Sequence, residues 1–225
     1  MTDKVFKENK DTKKIEFVGD FQGLYSDVED PWDQSATQNS EYSHYYEISR
    51  SRLVDLLSTL NEPGRKLLEV GCGLGHVLSA INAKCPELSL AGMDIAQLAV
   101  TKARAKYPKF EFFTCDIRFF DNKYESKFDV IILSQMLWYV LDDLTNVFEN
   151  LSKYLCVDGH LIITQAFFKG QQKYGREIID GYDGLIQYAE DNLSCSFAVV
   201  ETDLYKNLEI LHDDGLIHLR KVRDY

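Results

Sequence analysis

A chain of 225 residues, 45% hydrophobic and 27% charged, carries enough apolar content for one ordinary globular core. Its formal net charge of −11 repels phosphate backbones and anionic bilayers, so neither nucleic acid nor a membrane surface is expected as its partner. No apolar run reaches the ~18 residues of a membrane-spanning helix, and the charged segment Met1–Lys14 lacks the apolar stretch of a secretory signal.

The elements are expected in this order. Residues 1–20 form a loose tail. Residues 41–61 form a helix, with Leu53, Leu56, Leu57 and Leu60 at i, i+3, i+4, i+7 and a stop at Asn61 to Gly64. Residues 66–70 form a strand. Residues 88–94 form a second strand, followed by a helix over 95–106, and residues 110–114 a third strand. Residues 128–133 are an unbroken apolar strand, as in the middle of a parallel sheet. Leu144, Val147, Phe148, Leu151 and Leu155 mark one face of the next helix. Asp158-Gly159 turns the chain into a strand over 160–164. Residues 182–192 are helical, and 197–202 and 216–222 are strands, with Asp213-Asp214-Gly215 as a turn before the last. This alternation implies an α/β, doubly wound, mostly parallel seven-stranded sheet with helices on both faces. The chain divides into the tail (1–20), an aromatic helical cap (21–62) and a core (63–225).

The five cysteines form no C-x-x-C pair, and their odd count argues against zinc and against a disulfide framework. Reduced cytoplasmic thiols follow.

The run Leu67-Leu68-Glu69-Val70-Gly71-Cys72-Gly73-Leu74-Gly75 reads as a buried strand entering a turn stripped of side chains, then a helix with apolar Val77, Leu78 and Ile81. Such a turn brings backbone amides and a helix N-terminus close to a ligand. A dinucleotide fold needs a third glycine where His76 stands, and a P-loop needs a Gly-Lys-Ser/Thr ending. Ligands of doubly wound sheets bind at the carboxyl ends of the strands. Asp94 ends the second strand, where it can accept from a ribose diol or cap the helix near Ile95. Asp116, ending the third, can accept from an adenine amino group beside Ile117, or be a plain turn residue. Trp138 is read as core.

Glu69-Val70-Gly71-Cys72-Gly73-Leu74-Gly75, Asp94-Ile95, Cys115-Asp116-Ile117 and the strand ending at Ser134 resemble, in order and spacing, the motifs of class I S-adenosylmethionine-dependent methyltransferases over residues 40–222. Asp30-Pro31-Trp32, Glu41-Tyr42, Leu137-Trp138-Tyr139 and Val157 to Leu161 are similar to the nodulation-factor-type N-methyltransferases acting on sugar amines. Those relatives tend to carry Glu at the place of Gln135. The Asn/Asp-Pro-Pro-aromatic tetrad of nucleic-acid amino-methyltransferases is absent at residues 134–137.

The resemblance implies S-adenosylmethionine as cofactor, S-adenosylhomocysteine as product, and binding by Trp32, Arg50, Glu69, Gly71, Cys72, Gly73, Gly75, Asp94, Ile95, Asp116, Ile117, Ser134 and Gln135. The Ser134 carbonyl and the Gln135 side chain would flank the sulfonium, and Arg50, or else Arg52, would pair with the cofactor carboxylate. Tyr25, Trp32, Tyr42, Tyr45 and Tyr46 would form a lid. His44 and Tyr139 are the candidate bases; His160 is structural, and His212 and His218 are surface residues. The loop 165–183 would touch the acceptor, a small molecule with a sugar-like one favoured, its hydroxyl or amine taking the methyl group. A non-sugar acceptor, or an inactive scaffold with the same fold, is the alternative.

Overall fold

The computed structural model describes residues 3–35, 40–170, 172–210 and 212–223. Residues 1–2 of the tail, 36–39 of the cap, 171 within the loop 165–183, and 211 and 224–225 of the core therefore lie outside the described residues.

Seven strands form one sheet: β3 (Lys66–Val70), β4 (Ser89–Asp94), β5 (Glu111–Thr114), β6 (Phe128–Ser134), β7 (Leu155–Phe168), β8 (Phe197–Tyr205) and β9 (His212–Lys221). Their order is β5-β4-β3-β6-β7-β9-β8, parallel up to β7, with β9 antiparallel to both its neighbours. Alternating residues point to opposite faces. Leu67, Leu90, Val130 and Ile132 pack under α2 (Glu41–Ser58), α3 (His76–Lys84) and α4 (Gln97–Lys106). Leu68, Val70, Met93, Ile131 and Leu133 pack with α5 (Leu144–Tyr154) and α6 (Gly181–Asn192) on the other face. Two apolar layers on one sheet are the doubly wound arrangement expected from the sequence. The strand order reverses between β3 and β6, which places the switch point at the carboxyl ends of those two strands.

Four expectations are corrected here. The N-terminal segment is not a loose tail: β1 (Phe6–Glu8) pairs antiparallel with β2 (Ile15–Phe17), and α1 (Phe21–Asp27) follows, capped by the Asp20 side chain. Val5 and Phe6 are buried, because Phe6 packs its ring on Tyr139 and Tyr174. The apolar positions in this short segment are too few for a periodic signal, so only its partners order it.

Asp213-Asp214-Gly215 is not a turn but part of β9. The fully buried Asp214 is partnered by Tyr45 and Arg52, and Gly215 is there for space: a Cβ would lie 2.5 Å from both Phe167 and Tyr182. His212 and His218 are buried rather than superficial, since β9 lies inside the sheet between β7 and β8. The strand expected over 160–164 also begins earlier, at Leu155, with Asp158 at φ 61° inside it.

Phe6→Ala should lower unfolding stability by about 3 kcal/mol in chemical denaturation, the typical cost of deleting a buried ring. An unchanged midpoint would return the segment to a tail.

Candidate active site

The sheet's carboxyl edge opens into a cavity of about 210 Å³ whose wall includes Gly71, Gly73, Asp94, Ile95, Asp116, Ile117, Ser134 and Gln135. Val18 and Gly19 from the hairpin, with Tyr25 and Trp32, close its other side.

The glycine loop runs from β3 to α3 through positive φ at Gly71, Gly73 and Gly75. Gly71 faces the Met136 side chain, whose Cγ would lie 2.7 Å from a Cβ there, so only a residue without one leaves the cavity open. The loop does not present its amides to a ligand as expected. Gly71 and Cys72 N–H both donate to the Met93 carbonyl (2.8 and 2.9 Å), Gly73 N–H donates to Asp94 Oδ2 (2.9 Å) and Gly75 N–H to the Cys72 carbonyl (2.8 Å). Those donors are spent within the protein, and the loop's main offer to a ligand is space.

Asp94 is 8% exposed. Its Oδ1 accepts from Ala96 N–H at 2.8 Å, at the mouth of α4, while Oδ2 holds the glycine loop. Both readings of this residue are thus compatible: a carboxylate offers about four acceptor sites, and two amides use half of them. Burial raises its pKa and the amide hydrogen bonds oppose that rise. Glu69 lies beneath the loop, outside the cavity wall. Burial, then the nearby Asp94 charge, pushes its carboxyl well above the usual range, and the Arg50 charge with a hydrogen bond from the Leu78 backbone opposes this. Cys72 is likewise buried and off the wall.

The other expected residues divide as follows. Trp32 and Tyr139 line the cavity, with ring centroids 5.9 Å apart, and Trp32 Nε1 donates to Tyr25 Oη (3.3 Å). Gly75 lies off the wall, and Arg50 lines a small adjoining cleft with Gln34, Tyr46 and Ser134, donating weakly to the Gln34 carbonyl. Arg52 is committed elsewhere, to Asp214 and Asp203. Of the expected aromatic lid, Tyr25, Trp32 and Tyr46 reach the cavity, Tyr45 lies buried behind it and Tyr42 is exposed.

The Asp116 carboxylate is gripped by the Arg118 guanidinium (2.6–3.1 Å). Burial would raise its pKa, but those bonds hold it below the usual value. Gln135 turns its amide away from the cavity: Oε1 accepts from Ala166 N–H (2.7 Å) and Nε2 donates to Ser49 Oγ (3.0 Å), so the expected contact of this side chain with a sulfonium is not available. Neither Phe167, Phe168, Tyr174 nor Arg176 of the loop expected to meet the acceptor lies on the wall.

Neither candidate base is placed to act. His44 is exposed and off the cavity, because its neighbours Ser43 and Tyr45 are the residues α2 turns inward. Tyr139 is on the wall, but burial holds its phenol well above the ordinary range, so it stays protonated at neutral pH. His160 is structural, as expected: it bonds His218 (2.9 Å) far from the cavity.

Sequence reasoning missed His76 as a cavity residue. It opens α3 beside Leu74, its Nε2 has no partner, and burial with the nearby Lys106 charge lowers its pKa to about 4. Its ring fills the place where a dinucleotide fold keeps a glycine. The mismatch at that motif position was the signal available.

Residues 68–161 match the family model described as a methyltransferase domain. The chain is 31% identical over 130 residues to the malonyl-[acyl-carrier protein] O-methyltransferase of Bacillus anthracis, covering 55% of this chain and 47% of the relative. It is 28% identical over 188 residues to the enzyme of that name from Bacillus cereus, covering 80% and 64%. The chain thus spans about half to two thirds of the length of these relatives. Its fold is similar to that of the N-methyltransferase NodS from Bradyrhizobium japonicum in complex with S-adenosylhomocysteine, with a TM-score of 0.67, 19% identity and coverage of 90% of this chain and 98% of that one.

A histidine with a folded pKa near 4 refuses a proton that the unfolded chain accepts near 6.5. The His76 contribution to stability is therefore complete above pH 6.5 and lost as pH falls toward 4. The His76 ring resonances should stay unshifted from pH 8 to 5.5 in NMR titration. A midpoint near 6.5 would contradict the burial argued here.

Proposed function

We propose that the chain is a class I S-adenosylmethionine-dependent methyltransferase, as the methyltransferase-domain match, the Bacillus relatives and the fold support, and that it moves the methyl group of S-adenosylmethionine to a small molecule. The observation that carries this is the cradle at the switch point: a glycine loop held open opposite Met136, beside a buried carboxylate with acceptor sites to spare. The residues present fit the cofactor. Asp94 would take the ribose diol; Ile95 and Ile117 would flank the adenine, with Asp116 at its amino group. Arg50, next to Gln34 and Tyr46, would face the carboxylate of the methionine part.

When bound, the cofactor supplies an electrophilic methyl on a sulfonium. The chain's own residues then align and shield. Phe17, Phe21, Trp32 and Tyr139 form an aromatic wall that excludes water and gives a flat surface to a sugar-like ring. Holding two reactants in line removes on the order of 7–11 kcal/mol from a barrier.

Among the described wall residues none is poised near neutral pH to remove a proton. His76 stays neutral down to about 4, the Tyr46 phenol is pushed up to about 12, Tyr25 and Tyr139 stay protonated, burial raises the Cys115 thiol, Asp30 and Asp94 each accept from two backbone amides, and Asp116 is held by Arg118. The acceptor therefore brings its own free lone pair, which favours a sugar amine over a sugar hydroxyl. A carboxylate acceptor is the second reading, favoured by the same missing base and by the names of the Bacillus relatives. A cytoplasmic place suits five free cysteines, and among the described residues no helix is long and apolar enough to cross a membrane.

Calorimetric titration of S-adenosylmethionine checks the reading. The wild type should bind, and Asp94→Asn should lose at least about tenfold in affinity, the scale of one charge-assisted hydrogen bond. Equal affinities would end the assignment. Amino sugars and dicarboxylate thioesters, offered with methyl-labelled cofactor, separate the two acceptor classes.

A further inference from the structure

Gln135 stands at φ 60°, the left-handed region, where β6 leaves the sheet. Only glycine enters that region without strain, so the surrounding structure must hold the residue there. Its neighbours Ser134 and Met136 share the cavity wall with it, and Met136 faces Gly71 across the opening. This corner thus fixes the width of the cradle.

The hold on it comes from behind the wall. Besides its bonds to Ala166 and Ser49, the Gln135 Nε2 donates to Asp214 Oδ1 at 3.5 Å. Asp214 is wholly buried, accepts from Tyr45 Oη at 2.8 Å on the same oxygen, and pairs through Oδ2 with Arg52. Arg52 reaches on to Asp203 of β8. One carboxylate therefore joins α2 (Tyr45, Arg52), the corner just after β6 (Gln135) and β9, yet it is not on the cavity wall.

We propose that Asp214 is a positioning residue for the cofactor site, acting through Gln135. The carboxylate is matched to an amide donor. Burying a carboxylate against donors is stable, whereas two carboxylates in that place must share a proton. This rests on reading the cavity as the cofactor's place.

The test is titration of S-adenosylhomocysteine and S-adenosylmethionine into purified variants at pH 6 and pH 8, each compared with wild type at the same pH. Gln135→Glu sets a second carboxylate against Asp214. It should lose at least about tenfold in affinity at pH 8, the scale of a buried charged contact gone wrong, and less at pH 6, where the pair can hold a proton. The exchange Gln135→Glu with Asp214→Asn restores one donor and one carboxylate and should recover affinity to within about threefold, with the pH dependence removed. Tyr45→Phe, which deletes one donor and leaves the ion pair, should lose about threefold and carries the test if Asp214→Asn alone does not fold. A Gln135→Glu protein that binds like wild type at both pH values overturns the proposal, and so does an exchange no better than Gln135→Glu. A wild type that binds neither nucleoside overturns the cofactor reading itself, and this inference with it.

Discussion

The buried Asp94 carboxylate is the constraint on which the site depends. It bonds the glycine loop through Gly73 and the entrance to α4 through Ala96, while the Met93 carbonyl next to it takes the Gly71 and Cys72 amides. The end of β4 thereby clamps the turn that follows β3. Fixing a glycine-rich turn costs backbone entropy, since glycine loses more freedom on ordering than any other residue. Several short bonds from one neighbouring strand offset that cost. Glu69 lies under the same loop, where burial first and the Asp94 charge second raise its pKa well above the usual value.

Everything else meets this clamp from the other side. The switch between β3 and β6 leaves a gap at the carboxyl edge, the Ser134–Met136 corner forms its far lip, and the hairpin, α1 and Trp32 roof it. The roof is anchored twice. Leu98 N–H donates to Gln22 of α1, and Lys102 reaches the Tyr25 carbonyl, so α1 is fixed on α4. Phe6, Phe17 and Phe21 gather round Tyr139 and fix the hairpin over the other end. A cavity roofed by rings and floored by a clamped backbone suits chemistry that needs alignment and dryness more than proton transfer.

The parallel half of the sheet was readable because its strands are continuous apolar runs, such as Val130 to Leu133, and its helices carry one apolar stripe. The positions of Gly71, Gly73, Asp94, Asp116 and Ser134 followed from the same regularity, since strand ends in this topology converge on one edge. Side-chain commitments were not readable. Nothing in local sequence tells that Gln135 turns its amide to the back of the wall, that Arg118 takes Asp116, or that His44 faces water. The Gln135 contacts depend on partners far along the chain, Ala166 and Asp214, and the Arg118 grip on Asp116, though only two residues apart, depends on how the loop folds. Asp213-Asp214-Gly215 has turn composition, yet a half-buried arginine partner and crowding by Phe167 and Tyr182 make it strand. The N-terminal hairpin was hidden for the same reason: its three-residue strands are too short for periodicity, and tertiary contacts alone order them.

The most direct test of the central claim is a crystal structure of the protein grown with S-adenosylhomocysteine. The account predicts the ribose hydroxyls on Asp94, the adenine between Ile95 and Ile117, and the homocysteine part passing between Gly71 and the Ser134–Met136 corner. Density for the nucleoside elsewhere, with the cavity between Gly71 and the Ser134–Met136 corner holding only water, would contradict it.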